Sequence, residues 1–207
     1  MTGTNPRSDP DRRVRGGEPD AFGSPYRLLS GAVVPRPIAW VSSRGPAGEN
    51  LAPYSFFTVA AVDPPTLLFA PVATPDAPKD SLANAIETEA FAVNVVTEDL
   101  LEAANESAAT LPSEESEFER ADVTSIDCDR VDAPRVEEAA VTFECELRET
   151  VEVGGSTLVL GEVVYAHVDE AVTTEGKIDV TKLDAVGRLA GNWFTRTDDR
   201  FELERPP

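Results

Sequence analysis

Histidine is nearly absent from this 207-residue sequence, in which His167 is the only one. A Ser-His-Asp triad needs histidine to carry the proton of an activated serine, so the sequence argues against that mechanism. The two cysteines, Cys128 and Cys145, do not form a Cys-x-x-Cys pair, and a single histidine adds too little for a Cys/His metal site. Cys145 alternates with apolar neighbours, which predicts a small core residue.

Positive charge is also scarce. The sequence has 18 Lys and Arg and 38 Asp and Glu, so the net charge is −20 and the pI is about 4.3. Nucleic acid is therefore excluded as a partner, because its phosphates need clustered basic side chains. Only Lys79, Lys177 and Lys182 are lysines. An acidic, lysine-poor surface favours a halophilic protein, in which salt screens self-repulsion, and an acidic mesophilic protein is the alternative.

Long apolar runs are missing as well, since no stretch approaches the roughly 20 residues that span a bilayer. The N-terminus is polar and proline-rich rather than charged and then apolar, so we expect a cytoplasmic protein without membrane contact. Residues 1–20 lack periodicity, which predicts a disordered tail. Residues 21–207, in a chain that is 41% hydrophobic, predict one domain.

Strand patterns dominate that domain. Residues 32–43 and 51–62 predict a hairpin with a six- or seven-residue loop, and residues 66–70 and 91–96 predict two further strands. From 141 to 153 apolar and polar residues alternate except at Glu149, which predicts one buried and one solvated face. Gly154-Gly155 then turns the chain into a returning strand from residue 157 to 172.

Helical patterns are short. Pro75 to Ser81 predicts a loop that enters a helix with Asp80 or Ser81 as N-cap. Residues 97–111 and the acidic segment 113–120 predict an exposed helical excursion. Because the chain shows no βαβ alternation, these patterns favour an antiparallel barrel over a doubly wound sheet.

Neither glycine-rich phosphate motif, GxGxxG or GxxxxGK[ST], occurs. A phosphate site could instead lie at the helix start Lys79-Asp80-Ser81, where free N–H groups and a lysine would meet the anion. A capped surface helix with a solvated lysine explains this sequence pattern equally well. The segment 50–55 interrupts a strand with a proline and polar side chains, which leaves backbone groups free for the edge of a heteroaromatic ring. A bulged edge strand is the alternative interpretation.

Five segments follow one another in the order and approximate spacing of a known family: RPIAWVSS (36–43), NLAPYSFF (50–57), DPP (63–65), KDS (79–81) and FAVNVV (91–96). Over about residues 25–195, including GRLAGNWF (187–194), the chain resembles the flavin reductase-like, FMN-binding split-barrel family. The resemblance implies a mainly β fold, a six-stranded antiparallel Greek-key split barrel with peripheral helices. It also implies a homodimer with FMN near the subunit interface.

The resemblance implies three groups of FMN-binding residues. Those for the phosphate and ribityl chain are Arg36, Ser42, Ser43, Lys79, Asp80 and Ser81. Those for the polar edge of the flavin ring are Asn50, Ala52, Pro53, Tyr54 and Ser55. Arg188 and Trp193 would close the site. His167 is either a strand histidine with its hydrogen bonds satisfied or a further contact of the flavin.

A flavin carries out hydride chemistry itself, which suits a sequence without an evident acid–base pair or metal site. The resemblance implies an NAD(P)H:flavin oxidoreductase whose reduced FMN serves a partner oxygenase or another acceptor. One alternative is an FMN-binding electron-transfer protein without nicotinamide turnover. The other is a barrel that binds no flavin and acts as an interaction module.

Overall fold

The structure is a computed structural model that describes residues 13–46, 48–72, 79–112 and 115–206. Its helices are α1 (Pro25–Ala32), α2 (Asp80–Thr88), α3 (Leu101–Glu106) and α4 (Glu117–Arg120). Its strands are β1 (Ala39–Gly45), β2 (Gly48–Tyr54), β3 (Phe57–Val62), β4 (Pro65–Phe69), β5 (Ala90–Val95), β6 (Ser125–Asp127), β7 (Pro134–Val136), β8 (Val141–Val153), β9 (Ser156–Val168), β10 (Thr173–Thr174), β11 (Lys177–Ile178), β12 (Val186–Arg188) and β13 (Phe194–Arg196). Within these ranges no helix is long and apolar enough to cross a membrane.

Seven strands form one antiparallel sheet in the order β2-β1-β5-β8-β9-β4-β3. The two outer strands, β2 and β3, are separated in the chain only by Ser55 and Phe56. So short a link reaches only on the order of 10 Å. The sheet must therefore curl until its two edges approach each other, which gives a barrel that is split between β2 and β3. The main sheet thus has seven strands, where the sequence predicted six.

Strand β1 is buried on both faces because it separates two apolar layers. Ala39 and Val41 pack inside the barrel against Phe69 and Phe91. Trp40 points the other way, into a cluster with residues of α3 and α4. Cys145 lies in the barrel interior, as predicted. The two layers fix β1, and through it the neighbouring β2.

The first hairpin differs from the prediction. The strand predicted at 32–43 begins only at Ala39, because α1 occupies the chain up to Ala32 and the prolines at 35 and 37 cannot donate to a ladder. The strand predicted at 51–62 is two strands on opposite edges of the sheet. The hairpin loop is also shorter, since pairing continues to Gly45 and Gly48.

Several element boundaries were also predicted wrongly. The predicted helix at 97–111 is reduced to α3, and the returning strand ends at Val168. In the predicted helical segment 113–120, α4 occupies Glu117–Arg120, and residues 113–114 lie outside the described residues. Lys79 is the N-cap of α2, without a side-chain cap, so neither Asp80 nor Ser81 has that role. Residues 1–12 of the predicted tail and 75–78 of the predicted loop lie outside the described residues. Residues 13–18 have no regular structure, and a 3₁₀ turn follows at Pro19–Phe22.

The predicted solvated face of β8 is wrong at Thr142 and Glu144, which are fully buried. The chain between β6 and β7 covers Glu144, and the Thr142 hydroxyl donates to Asn94 Oδ1 at 2.9 Å. The backbone N–H groups of Asp129, Arg130 and Val131 donate to the Glu144 carboxylate at 2.8, 2.7 and 3.2 Å. His167 Nε2 lies 2.6 Å from Glu144 Oε1. A buried carboxylate thus holds this segment against the barrel.

Glu144→Gln should destabilise the fold by about 3 kcal/mol near neutral pH, because an amide cannot accept all of these hydrogen bonds. Burial raises the pKa of the Glu144 carboxyl, but hydrogen bonds from Asp129 N–H, His167 and Arg130 N–H outweigh burial and hold the pKa below its usual value. The stabilisation is therefore present above the unfolded pKa of about 4.3 and is lost as the pH falls through the lower folded pKa.

Urea unfolding at a series of pH values measures this effect. The stability difference between wild type and Glu144→Gln should shrink in acid, whereas Glu146→Gln, at an exposed position on the same strand, should change stability little. Equal effects of the two substitutions at neutral pH would contradict this role for Glu144.

Candidate functional site

A cleft with two adjoining compartments lies beside the split of the barrel. The first compartment, about 220 Å³, lies between α1, α3 and the β12–β13 turn. The second, about 200 Å³, lies between β2, the start of α2 and the chain that follows α3. Pro53 and Ala108 line both. Ligand pockets commonly hold about 300–1,000 Å³, so the two compartments together are large enough for a nucleotide.

The second compartment joins two segments that are far apart in sequence. The Tyr54 hydroxyl donates to Ser81 Oγ at 3.0 Å, and Ser81 Oγ in turn donates to Asn50 Oδ1. Burial raises the pKa of the Tyr54 phenol, which keeps it protonated as a donor. These bonds hold the edge of β2 against the start of α2.

The first turn of α2 lines this compartment. The N–H groups of Leu82 and Ala83 donate to Lys79 O, so the amides of Asp80 and Ser81 precede the hydrogen bonds of the helix. Lys79 also lines the compartment. Two acidic side chains, Asp80 and Glu117, oppose it, and burial raises the pKa of Glu117, with the charge of Asp80 as a further cause. Lys79 is the cation in this lining that would offset the two carboxylates for a bound anion.

Arg36 forms part of the wall of the first compartment. Its Nη1 donates to the carbonyls of Ser30 and Val33, each at 2.7 Å, and Nη2 donates to Leu189 O at 3.0 Å. Its backbone pairs with that of Arg188 at 3.0 and 2.8 Å. Arg36 therefore fixes α1 against β12, and most of its donors are used within the protein.

The segment from β12 to the start of β13 also lines the first compartment. The Arg188 guanidinium lies 4.5 Å from the centroid of the Phe194 ring and donates to Gly191 O. A Cβ on Gly187 would lie 2.9 Å from Pro35 Cβ, so only glycine permits this close approach of β12. Trp193 is 74% exposed and lines neither compartment.

Ten of the fourteen sequence-predicted residues line the cleft: Arg36, Asn50, Ala52, Pro53, Tyr54, Ser55, Lys79, Asp80, Ser81 and Arg188. The structure does not bring Ser42, Ser43, His167 or Trp193 into either compartment. Ser42 Oγ donates to Pro134 O at 2.6 Å and accepts from Asn94, and Ser43 Oγ accepts from Asn84 at 3.3 Å. Because β1 is buried on both faces, these hydroxyls satisfy polar groups of the core.

Sequence reasoning missed several lining residues, among them Tyr26 and Ser30 on α1 and Glu117 on α4. A signal for α1 was present. Ser24 is its N-cap and accepts a hydrogen bond from Arg27 N–H, and Pro25 occupies the first helical position. Ser-Pro at a helix start is a recognised combination.

The fold is thus a split antiparallel barrel with a cleft between a polar strand edge and a helix start. A family model described as a flavin reductase like domain matches residues 30–184. The chain belongs to this flavin reductase-like family.

Solved structures agree with this assignment. The chain is 34% identical to nitrilotriacetate monooxygenase component B from Bacillus cereus, with a TM-score of 0.84 and 98% of each chain covered. It is 33% identical to the 2-nitrobenzoate 2-nitroreductase NbaA from Pseudomonas fluorescens, with a TM-score of 0.80 and coverage of 88% of this chain and 90% of that one. A Shewanella frigidimarina protein with a split-barrel domain, 24% identical over 87% of this chain and 91% of that one, shares the fold at a TM-score of 0.77.

Lys79→Ala should weaken FMN binding about tenfold or more, because it removes the counter-charge of the phosphate site. Riboflavin has no phosphate, so its affinity should stay unchanged. Fluorescence titration with each ligand measures both affinities, and Lys177→Ala, on the distant strand β11, is the matched control. Equal losses for FMN and riboflavin would show that Lys79 does not contact the phosphate.

Proposed function

We propose that the protein binds FMN in this cleft and reduces it with NAD(P)H, as an NAD(P)H:flavin oxidoreductase. The observation that carries the proposal is the second compartment, where Asn50, Tyr54 and Ser81 are joined by hydrogen bonds beside Lys79. A ring-binding strand edge and a phosphate-binding helix start therefore share one cavity. Membership of the flavin reductase-like family supports the flavin as ligand.

The residues of the chain bind and orient the cofactor. The amides of Asp80 and Ser81, with the Lys79 ammonium, hold the phosphate. The backbone from Ala52 to Ser55, which lines the cleft, would meet the polar edge of the ring. FMN supplies the hydride-accepting chemistry when bound, so the protein needs no acid–base pair of its own.

The first compartment is the proposed place of the nicotinamide beside the flavin ring. It adjoins the ring-binding edge at Pro53, and Arg36, Arg188 and Phe194 form part of its wall. Arg36 is immobilised by its carbonyl partners, so this wall is preorganised. The half-buried Arg188 is the cation that an anionic substrate group would meet there.

The similarity to a monooxygenase component B supports a partner oxygenase as the acceptor of the reduced flavin. The similarity to a nitroreductase supports reductive chemistry at the same cleft. We place this activity in the cytoplasm of a halophilic cell, in line with the net charge of −20.

An anaerobic absorption spectrum tests the activity. With FMN bound in high salt, addition of NADH or NADPH should bleach the oxidised flavin band, because hydride transfer converts the oxidised flavin to its reduced form. Dithionite, which reduces any accessible flavin, is the positive control. Bound FMN that dithionite bleaches but neither nicotinamide does would identify an electron carrier and contradict the reductase.

The proposal includes a homodimer, supported by an exposed apolar stripe on α1. Tyr26 and Leu29 on α1 and Val33 at its C-cap follow helical spacing and are 64%, 58% and 60% exposed. Tyr26 also lines the first compartment. A second copy covering this stripe would bury apolar area that water otherwise contacts and would lie at the mouth of the cleft.

Leu29→Glu should convert the dimer to a monomer, because it places a charge in the apolar contact. Light scattering on wild type should give twice the 22.2 kDa chain mass. Val62→Glu, at an exposed apolar position in β3, should leave the dimer intact. A wild-type monomer, or loss of the dimer in both variants, would contradict α1 as the interface.

A further inference from the structure

We propose that Asp129, Glu144 and His167 form a binding site for a divalent transition metal of the Zn²⁺ type, outside the flavin cleft. The three residues come from separate segments: Asp129 follows β6, Glu144 lies on β8 and His167 on β9. One ligand atom from each lies within 4.8 Å of the other two. None of the three lines the two flavin compartments, so the site is independent of the proposed reductase activity.

The distances bracket those of a bound metal. His167 Nε2 lies 2.6 Å from Glu144 Oε1 and 3.9 Å from Asp129 Oδ2. Zinc binds imidazole nitrogen and carboxylate oxygen at about 2.0–2.2 Å, which places neighbouring ligand atoms roughly 3.3 Å apart. The metal would enter between the imidazole and the two carboxylates as Glu144 and His167 move apart and Asp129 moves closer to them. The imidazole would bind through Nε2 and keep its proton on Nδ1.

Surrounding groups already orient the ligands. Three backbone N–H groups fix the Glu144 carboxylate, and Glu144 keeps all three when the metal replaces its hydrogen bond to His167. The ring of His167 packs edge-on against Tyr165 at 5.1 Å between centroids. Hydrogen bonds to a ligating carboxylate and a fixed imidazole are the supports that metal sites use.

Solvent access and charge favour a cation at this place. The side chain of Asp129 is 63% exposed and that of Glu144 is fully buried, so the site opens to water on one side only. Arg130 stacks on Tyr165 at 5.5 Å and opposes a cation, but two carboxylates and a chain charge of −20 outweigh it. One nitrogen and two oxygens suit zinc or cobalt better than magnesium or calcium, with water completing the coordination.

The bound metal would cross-link two segments of the fold. Asp129 belongs to the segment between β6 and β7, whereas Glu144 and His167 belong to the long β8–β9 hairpin. A metal bound to all three adds a link between the two that the unfolded chain cannot make. Bound zinc would therefore stabilise the fold through ligand linkage.

Because the chain has a single histidine, NMR can follow this proposed ligand without signal overlap from other histidines. In untagged protein labelled with ¹⁵N-histidine, the imidazole nitrogen signals belong to His167 alone. Titration with Zn²⁺ should shift the Nε2 signal and saturate near one equivalent, and saturation should raise the Tm. Asp129→Asn should weaken the affinity by at least about tenfold while leaving the bonds of Glu144 in place. Asp132→Asn, an exposed carboxylate of the same segment, is the matched control.

Wild-type saturation, with loss in Asp129→Asn and retention in Asp132→Asn, supports the site. His167 signals that do not move with millimolar Zn²⁺ would overturn it. Equal weakening by both variants would also overturn it, because diffuse attraction to acidic side chains would then explain the binding. Glu144 and His167 stay unchanged in both variants, so the comparison does not depend on a variant that unfolds.

Discussion

Two hydrogen bonds hold the cleft together, one from Tyr54 to Ser81 and the next from Ser81 to Asn50. They join the edge of β2 to the first turn of α2 across 27 and 31 residues of chain. Buried side-chain hydroxyls need such partners, and here each partner lies on the other segment. The proposed FMN site needs a ring-binding edge and a phosphate-binding end, and this bridge joins the two segments proposed for those roles in one cavity.

The barrel makes that bridge possible. Strand β1 is fixed by apolar packing on both faces, and β2 follows it residue by residue from Tyr54 to Gly48. The two-residue link to β3 curls the sheet and leaves the β2 edge outside the closed ladder. The edge that a regular sheet would cover is thus available to a ligand, and α2 packs across the barrel through Leu82 and Ala85.

The sequence predicted which segments line the cleft better than it predicted the course of the chain. Segment order predicted that Asn50–Ser55 and Lys79–Ser81 lie near one another, and in the structure both segments line the cleft. It failed for Ser42, Ser43 and Glu144, because burial of a polar side chain depends on which segment packs over it. Residues 134 and 129–131 are the segments that pack over these side chains, and no local pattern in β1 or β8 identifies them. The break between β2 and β3 was equally hidden, since both halves of 51–62 read as strand.

The proposed function requires one nucleotide to contact both segments at once. The most direct measurement is an NMR titration of backbone amides with FMN and, separately, with riboflavin. FMN should shift the amides of Ala52, Tyr54 and Ser55 together with those of Asp80 and Ser81, all with one Kd, and riboflavin should shift mainly the first group. The shared site would be contradicted if the two segments responded to FMN with different Kd values. It would also be contradicted if the amides of Asp80 and Ser81 did not respond.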